Sequence, residues 1–337
     1  MQRRIRTVTG DIPVEELGWC QTHEHLFLQK GKPYEIDTAL CMDDFDRSIE
    51  ELNAYKAAGG GAIVDAQPVG SGRMAGAMAE ASYATGVSII ACTGFHKQNF
   101  YYEDSFIFRE KEETLAGLFT SEVTDGMLPS GRDEKKRLEA RAGVIKVAVE
   151  KNGVRTNAAY EKLFAAAAAA AAKTGAPVLA HFDKDADALA LIEYLGQYNI
   201  PANRLIACHL DRARYDIGYH REVAQSGAWM EYDTINRLKY HDNEKEFKLI
   251  QGMIEAGYAG RMLFSLDTTN KRLRAYGADM GLDYLLKEFT VYMQQRGLGG
   301  YMRQIMVNNP AQAVAIQKGT EEKRTAASAI THHVPLM

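Results

Sequence analysis

The sequence is sparing in the features that mark several broad protein classes. It has only four cysteines in 337 residues (Cys20, Cys41, Cys92 and Cys208), with no CxxC pair and no disulfide-scaffold spacing, so reduced thiols in a cytoplasmic protein are expected. The opening MQRRIRTVTGDIP lacks the apolar run of a signal peptide, and no stretch approaches the roughly 18 apolar residues of a membrane span. The alanine run Ala165–Ala172 is too short and is flanked by Glu161, Lys162 and Lys173, which suits a closely packed helix. No membrane association is expected. Positive charge is not in excess: 40 Lys and Arg face 44 Asp and Glu, a net charge of -4, without the basic stripe of a nucleic-acid binder. There is no G-x-S-x-G elbow to seat a serine nucleophile, and no glycine-rich phosphate loop after the first apolar run, which argues against an open doubly wound sheet.

What the sequence does have is an alternation. Short, apolar, β-prone runs occur at 18–23, 62–66, 87–92, 144–148, 177–181, 205–209, 228–232 and 262–266. Near-continuous apolar runs fit strands buried on both faces, as in a parallel sheet. Between them lie segments of helical spacing, for example 45–58, 157–173 and 244–256. Gly175, Gly227 and Gly260 stand just before strands, where helix-ending glycines belong. Eight β/α repeats predict an α/β protein with a (β/α)₈ TIM barrel. The whole chain, 1–337, reads as one barrel domain, with an N-terminal extension or hairpin over 1–16 and an irregular tail over 319–337. A charged excursion over 97–140 is expected to hold a helix from Glu110 to Gly126 and a loop near the barrel mouth.

The polar residues at the strand ends are the informative ones. The first strand runs into His23-Glu24-His25; residues two apart in an extended chain point the same way, so both imidazoles are expected to face the barrel axis and Glu24 away from it. Lys146 sits in the apolar setting AGVIKVA, His181 and His209 end the fifth and sixth strands, and Asp267 ends the eighth. Taken singly, each has an ordinary explanation: a strand-end histidine is usually a hydrogen-bonded structural residue, a buried lysine a paired one, an aspartate a helix cap. Together they project from separate strands into one mouth, the C-terminal face where barrels place their chemistry, and imidazole with carboxylate suits zinc and its first-row neighbours.

At these residues the sequence resembles the phosphotriesterase-related (phosphotriesterase homology protein) family of the amidohydrolase superfamily. TVTGDIPVEELGWCQTHEHLF is similar to the family's N-terminal signature, and IVDAQPVGSGR, AGVIKVAVE, PVLAHFD, IACHLDR and FSLD follow in the family's order from about Ile5 to Ile316. The resemblance implies two divalent metal ions, with zinc as first choice and manganese, cobalt or iron as alternatives. His23, His25 and Asp267 would hold the more buried ion, and His181 and His209 the more exposed one. Lys146 would bridge both as a carbamate (N6-carboxylysine). Asp267 and Lys146 are then the catalytic residues, a shared hydroxide being the nucleophile and Asp267 the proton carrier. MEYDTINR and LDTTNKRLRAYGADMGLDYLL are similar to loops of the branch that includes lactonases, sugar-lactone-phosphate hydrolases and N-acyl amide hydrolases.

Lys239 resembles a phosphate-binding lysine of that branch, while the branch's companion arginine and tyrosine in the eighth loop do not align, leaving Lys271, Arg272, Arg274 and Tyr276 available there. With Arg237 these residues are expected to form a basic clamp, and Phe95, Tyr101, Tyr102 and Tyr232 are candidate pocket walls. The expected substrate is therefore a small lactone or related ester with an anionic substituent, a phosphorylated sugar lactone among them. Amide hydrolysis of an N-acylated small acid and phosphotriester hydrolysis are the alternatives, and a non-catalytic metal-binding protein is the reading outside enzymes. The expected partner is this small molecule rather than nucleic acid or membrane, and a homodimer is left open.

Overall fold

The computed structural model describes residues 3–129 and 136–317. It begins with a hairpin in which β1 (Arg4–Thr7) pairs antiparallel with β2 (Gly10–Pro13), inside the segment expected to precede the barrel. Eight strands follow: β3 (Trp19–Glu24), β4 (Gly60–Asp65), β5 (Ser88–Gly94), β6 (Val144–Val149), β7 (Val178–Phe182), β8 (Leu205–Cys208), β9 (Trp229–Tyr232) and β10 (Met262–Phe264). They pair in chain order and every pairing is parallel, with helices between them: a TIM barrel. The apolar runs of the sequence locate all eight.

The seam between β10 and β3 is closed largely by side chains. His23 N donates to Ser265 Oγ at 2.9 Å and His25 N to Thr268 Oγ1 at 3.1 Å. The Glu24 carboxylate accepts from Leu266 N at 2.8 Å and Thr268 N at 3.1 Å, and Asp267 N donates to His23 O at 3.2 Å. Glu24, expected to turn from the axis, is wholly buried in this seam, where burial raises its carboxyl pKa to about 8. The closure thus ties the first candidate ligands to the strand that carries the last.

Inside the barrel, Cys20, Val64, Ile90, Val144, Leu179, Ile206 and Leu263 pack together, while larger side chains fill the layer between strands and helices. The two-residue period then predicts which polar residues reach the axis: Lys146 follows Val144, His181 follows Leu179, and Asp267 follows Leu263 by two steps. Small and medium side chains fill the lower axis, and the polar groups sit above them at the mouth.

The alanine run lies in a helix, Ala158–Thr174, capped by Asn157 accepting from Tyr160 N and ended by Gly175 at φ 71°. Gly227 ends another helix at φ 96°. Gly260 does not: it lies within the 3-10 turn Ala259–Arg261, and Gly257, at φ 86°, is the left-handed glycine after the helix Asn243–Glu255. The turn takes the place of a direct helix-to-strand step. Among the described residues the excursion after β5 holds a 3-10 turn, Gln98–Phe100, and two α-helices, Phe106–Arg109 and Glu112–Thr124. Part of that excursion (130–135) and the tail expected over 319–337 lie outside the described residues. Among the described residues no helix is long and apolar enough to cross a membrane.

Candidate metal centre

His23, His25, Lys146, His181, His209 and Asp267 converge at the C-terminal mouth of the barrel. Two of them arrive by unusual backbone. His209 follows β8 in the left-handed region, at φ 66°, and Asp267 does so after β10 at φ 50°. His209 is one residue out of step with the inward-facing Ile206 and Cys208, and its left-handed turn brings the ring back over the axis. Such conformations disfavour residues with a Cβ and persist where the surroundings enforce them. Gly94 is the opposite case: at φ 95° it lets the end of β5 pass so close that a Cβ would stand 2.1 Å from Lys146 O.

The donor atoms face one another. His181 Nδ1 and His209 Nε2 are 2.8 Å apart. His23 Nε2 lies 3.3 Å from Lys146 Nζ and 3.7 Å from Asp267 Oδ1, and His25 Nε2 lies 3.5 Å from the same oxygen. Single donor atoms of His23, His209 and Asp267 all fall within 4.8 Å of one another. Burial keeps the His23 and His209 imidazoles well below their ordinary pKa and lowers that of His181 to about 3. Neutral imidazoles are the form a metal requires. Burial opposes ionisation of Asp267, but Arg237, the hydrogen bond from His25 and Arg212 outweigh it and hold the carboxyl well below its usual range. Arg237 is in direct contact with Asp267 Oδ2, and Arg212 lies 3.3 Å from it. The donor set, its neutral imidazoles and its ionised carboxylate fit a pair of divalent cations.

A layer of groups behind the donors sets their orientation. Asp233 accepts from His209 at both Nδ1 (2.6 Å) and the backbone N (3.1 Å), leaving Nε2 to face His181. Asp183 Oδ1 lies 2.9 Å from His181 Nε2, and Lys97 Nζ holds the Asp183 carboxylate at 3.1 and 3.2 Å. Carboxylates in this position fix a ligand ring and its tautomer. Asp183, Lys97, Arg212, His96 and Asp233 were not singled out from the sequence. Arg212 and Asp233 stood within IACHLDR and MEYDTINR, four residues and one residue beyond a strand end, and Asp183 shares the inward parity of His181. His96 lies in the pocket wall, where its Nδ1 accepts from Lys97 N at 2.7 Å, which places the ring proton on Nε2.

The pocket over these donors has a volume of about 170 Å³ and is bordered by Leu28, Phe100, Arg237, Lys239 and Tyr240 among others. Arg237 and Lys239 therefore stand at it. Arg272 does not: it is buried, donating to the carbonyls of Ile235 (2.8 Å) and Asn236 (2.9 Å) and so bracing the loop that carries Arg237. Arg274 pairs with Asp283 at 3.2 Å, Tyr276 bonds Ser48 and the Asp44 carbonyl, and Lys271 reaches towards Asp37 at 3.8 Å. Phe95 packs edge-on against Phe164 behind the barrel wall, and Tyr232, also fully buried, bonds His220 at 2.6 Å. Tyr101 is buried, bonding the Val69 carbonyl, and Tyr102 is exposed against Glu35.

Comparison with known proteins gives a consistent set of similarities. The model of the Phosphotriesterase family matches residues 3–314. A phospho-furanose lactonase of Mycoplasmopsis synoviae is 28% identical over 332 residues, spanning 95% of this chain and 92% of that protein. An N-acetyltaurine hydrolase of Danio rerio is 26% identical over 352 residues, spanning 92% and 97%. Among solved structures, a lactonase from Listeria monocytogenes superimposes with a TM-score of 0.84 at 29% identity, over 94% of this chain and all of that one.

Proposed function

The chain belongs to the phosphotriesterase family, and from that premise we propose that it is a binuclear metal-dependent hydrolase that opens a small anionic lactone, with zinc as its metal and a carboxylated Lys146 as the bridge. The observation that carries the reading is Lys146 itself. It is wholly buried, and among the described residues its recorded polar partner is a histidine nitrogen, with no carboxylate in ion-pair range. An ammonium so placed lacks compensation, whereas a carbamate on the same nitrogen would be an anion beside the two cations the site would hold. His23, His25 and Asp267 would then hold one ion, and His181 and His209 the other.

When bound, the cations supply Lewis acidity and an activated water at neutral pH. The chain's own residues do the rest. Asp267, held ionised by Arg237 and Arg212, accepts the proton of the water that adds to the lactone carbonyl carbon. The bond from that carbon to the ring oxygen breaks, and Asp267 returns the proton to the departing oxygen, leaving a hydroxy acid. His96 offers an N–H in the pocket wall. Lys239 supports the anionic substituent: it borders the pocket, and among the described residues no carboxylate is paired with it, whereas Arg237 and Arg212 are committed to Asp267 and Lys97 to Asp183.

The similarity to N-acetyltaurine hydrolases supports a second reading, cleavage of an N-acylated small acid whose anionic end meets the same lysine. Metal-loaded protein assayed against phosphorylated furanose lactones, neutral lactones and N-acylated sulfonates and amino acids separates the two. Turnover led by anionic lactones is expected; turnover of the amides alone would replace the lactonase reading with the second.

A further inference from the structure

A second group of donors, none shared with the centre described above, converges beneath the loop after β9. Asp211 comes from the short turn after β8, His241 from the loop that carries Arg237, Lys239 and Tyr240, and Glu246 from the first turns of the helix Asn243–Glu255. One donor atom from each of the three lies within 4.8 Å of the others. His241 Nε2 touches Glu246 Oε2. Asp211 is ordered by backbone donors, its Oδ1 accepting from Arg212 N at 3.0 Å and its Oδ2 from Thr234 N at 2.6 Å.

The charges do not balance. Asp211 and Glu246 are both fully shielded from solvent, and among the described residues neither forms an ion pair with a lysine or arginine. Arg212, the nearest in sequence, turns to Asp267 and Tyr240, and Lys245 lies over the Tyr215 ring. Independently of the clustering, Glu246 Oε1 has no hydrogen-bond partner although it is buried. An unsatisfied carboxylate oxygen beside a second buried carboxylate is unfavourable unless a cation or a proton completes the group.

We propose that Asp211, His241 and Glu246 form a second, structural metal site for a first-row divalent cation, zinc by donor type. Two carboxylate oxygens and one imidazole nitrogen leave a fourth position for water. The three residues come from different segments, so an ion there clamps the loop bearing Arg237 and Lys239 onto the helix Asn243–Glu255 and the turn after β8. His241 is the member nearest the surface, its ring beside the exposed Tyr215.

The probe is zinc alone, on the full chain. Crystals of zinc-saturated protein measured at the zinc absorption edge are expected to show an anomalous peak between these three side chains, and elemental analysis is expected to find one fewer zinc per chain in Glu246→Gln than in wild type. Since no residue is shared with the His23–His209 centre, a failure of that assignment would alter the peaks there and leave this one. Absence of the peak in wild-type crystals would overturn the proposal and leave a proton shared among the three groups. Where Glu246→Gln fails to fold, the wild-type crystal decides alone.

Discussion

Removing Asp183 isolates a layer of the site that never touches the substrate. Its carboxylate lies 2.9 Å from His181 Nε2 and is itself held by Lys97, so Asp183→Ala frees the imidazole to rotate about its side-chain torsions. Losing such an outer partner generally lowers metal affinity by about 10- to 100-fold, or ~1.4–2.7 kcal/mol. The Asp183 side chain is 29% exposed, so water can replace it at Nε2, and the expected effect is at the lower end, about tenfold. Lys97→Met, which leaves Asp183 in place without its anchor, is expected to lower affinity by about two- to threefold, a fraction of the direct loss. The assay is chelator competition against metal-loaded protein, following the more readily released ion. Unchanged affinity in Asp183→Ala would show that the His181 ring is fixed by packing alone and would refute this reasoning.

Other outcomes follow from the same geometry. Lys146→Ala is expected to lose bound metal and activity together, with partial recovery on adding a short carboxylic acid, whereas Lys146→Met, which fills the space with apolar bulk, is expected to stay inert; full activity in Lys146→Met would make the lysine purely structural. Lys239→Ala is expected to lower kcat/KM for an anionic lactone by about tenfold, a modest effect for a charge-assisted contact because Lys239 starts from an exposed position, and to leave a matched neutral lactone almost unchanged. Equal losses on both substrates would remove the anion contact. Metal-free protein is expected to lose stability as the pH falls from about 6.5 towards 3, since His181 takes up its proton at about 3 in the fold but near 6.5 when unfolded, so the unfolded chain binds more protons throughout that window. Denaturant midpoints measured across this range should fall less steeply in His181→Gln; identical slopes would contradict the assignment.

The barrel was legible because its strands are buried on both faces and read as unbroken apolar runs, and the residues that converge at the mouth were legible because the histidines and Asp267 stand where such runs end and Lys146 is a charged residue inside one. Parity carried further information: Tyr232 alternates with the inward Glu231 and Asp233, and Phe95 with Gly94 and His96, so both fall on the helix side of the wall. His209 escapes parity through its left-handed backbone, a feature no spacing displays. The groups behind the donors were not legible. Asp183 meets Lys97 across 86 positions of sequence, and Arg272 reaches the Ile235 carbonyl across 37, contacts that exist only once the loops are folded against each other. The basic residues of the eighth loop looked alike in sequence, yet Arg272, Arg274 and Lys271 are directed to a backbone, to Asp283 and towards Asp37, while the uncommitted lysine stands one loop earlier.

The central claim, a metal-dependent lactonase, meets its most direct test in the hydrolysis of a phosphorylated furanose lactone by protein stripped of metal and then reloaded with zinc. The account predicts that the stripped protein is inert and that the rate returns as zinc fills the centre built on His23, His25, Lys146, His181, His209 and Asp267. Hydrolysis at an undiminished rate by the stripped protein would contradict it.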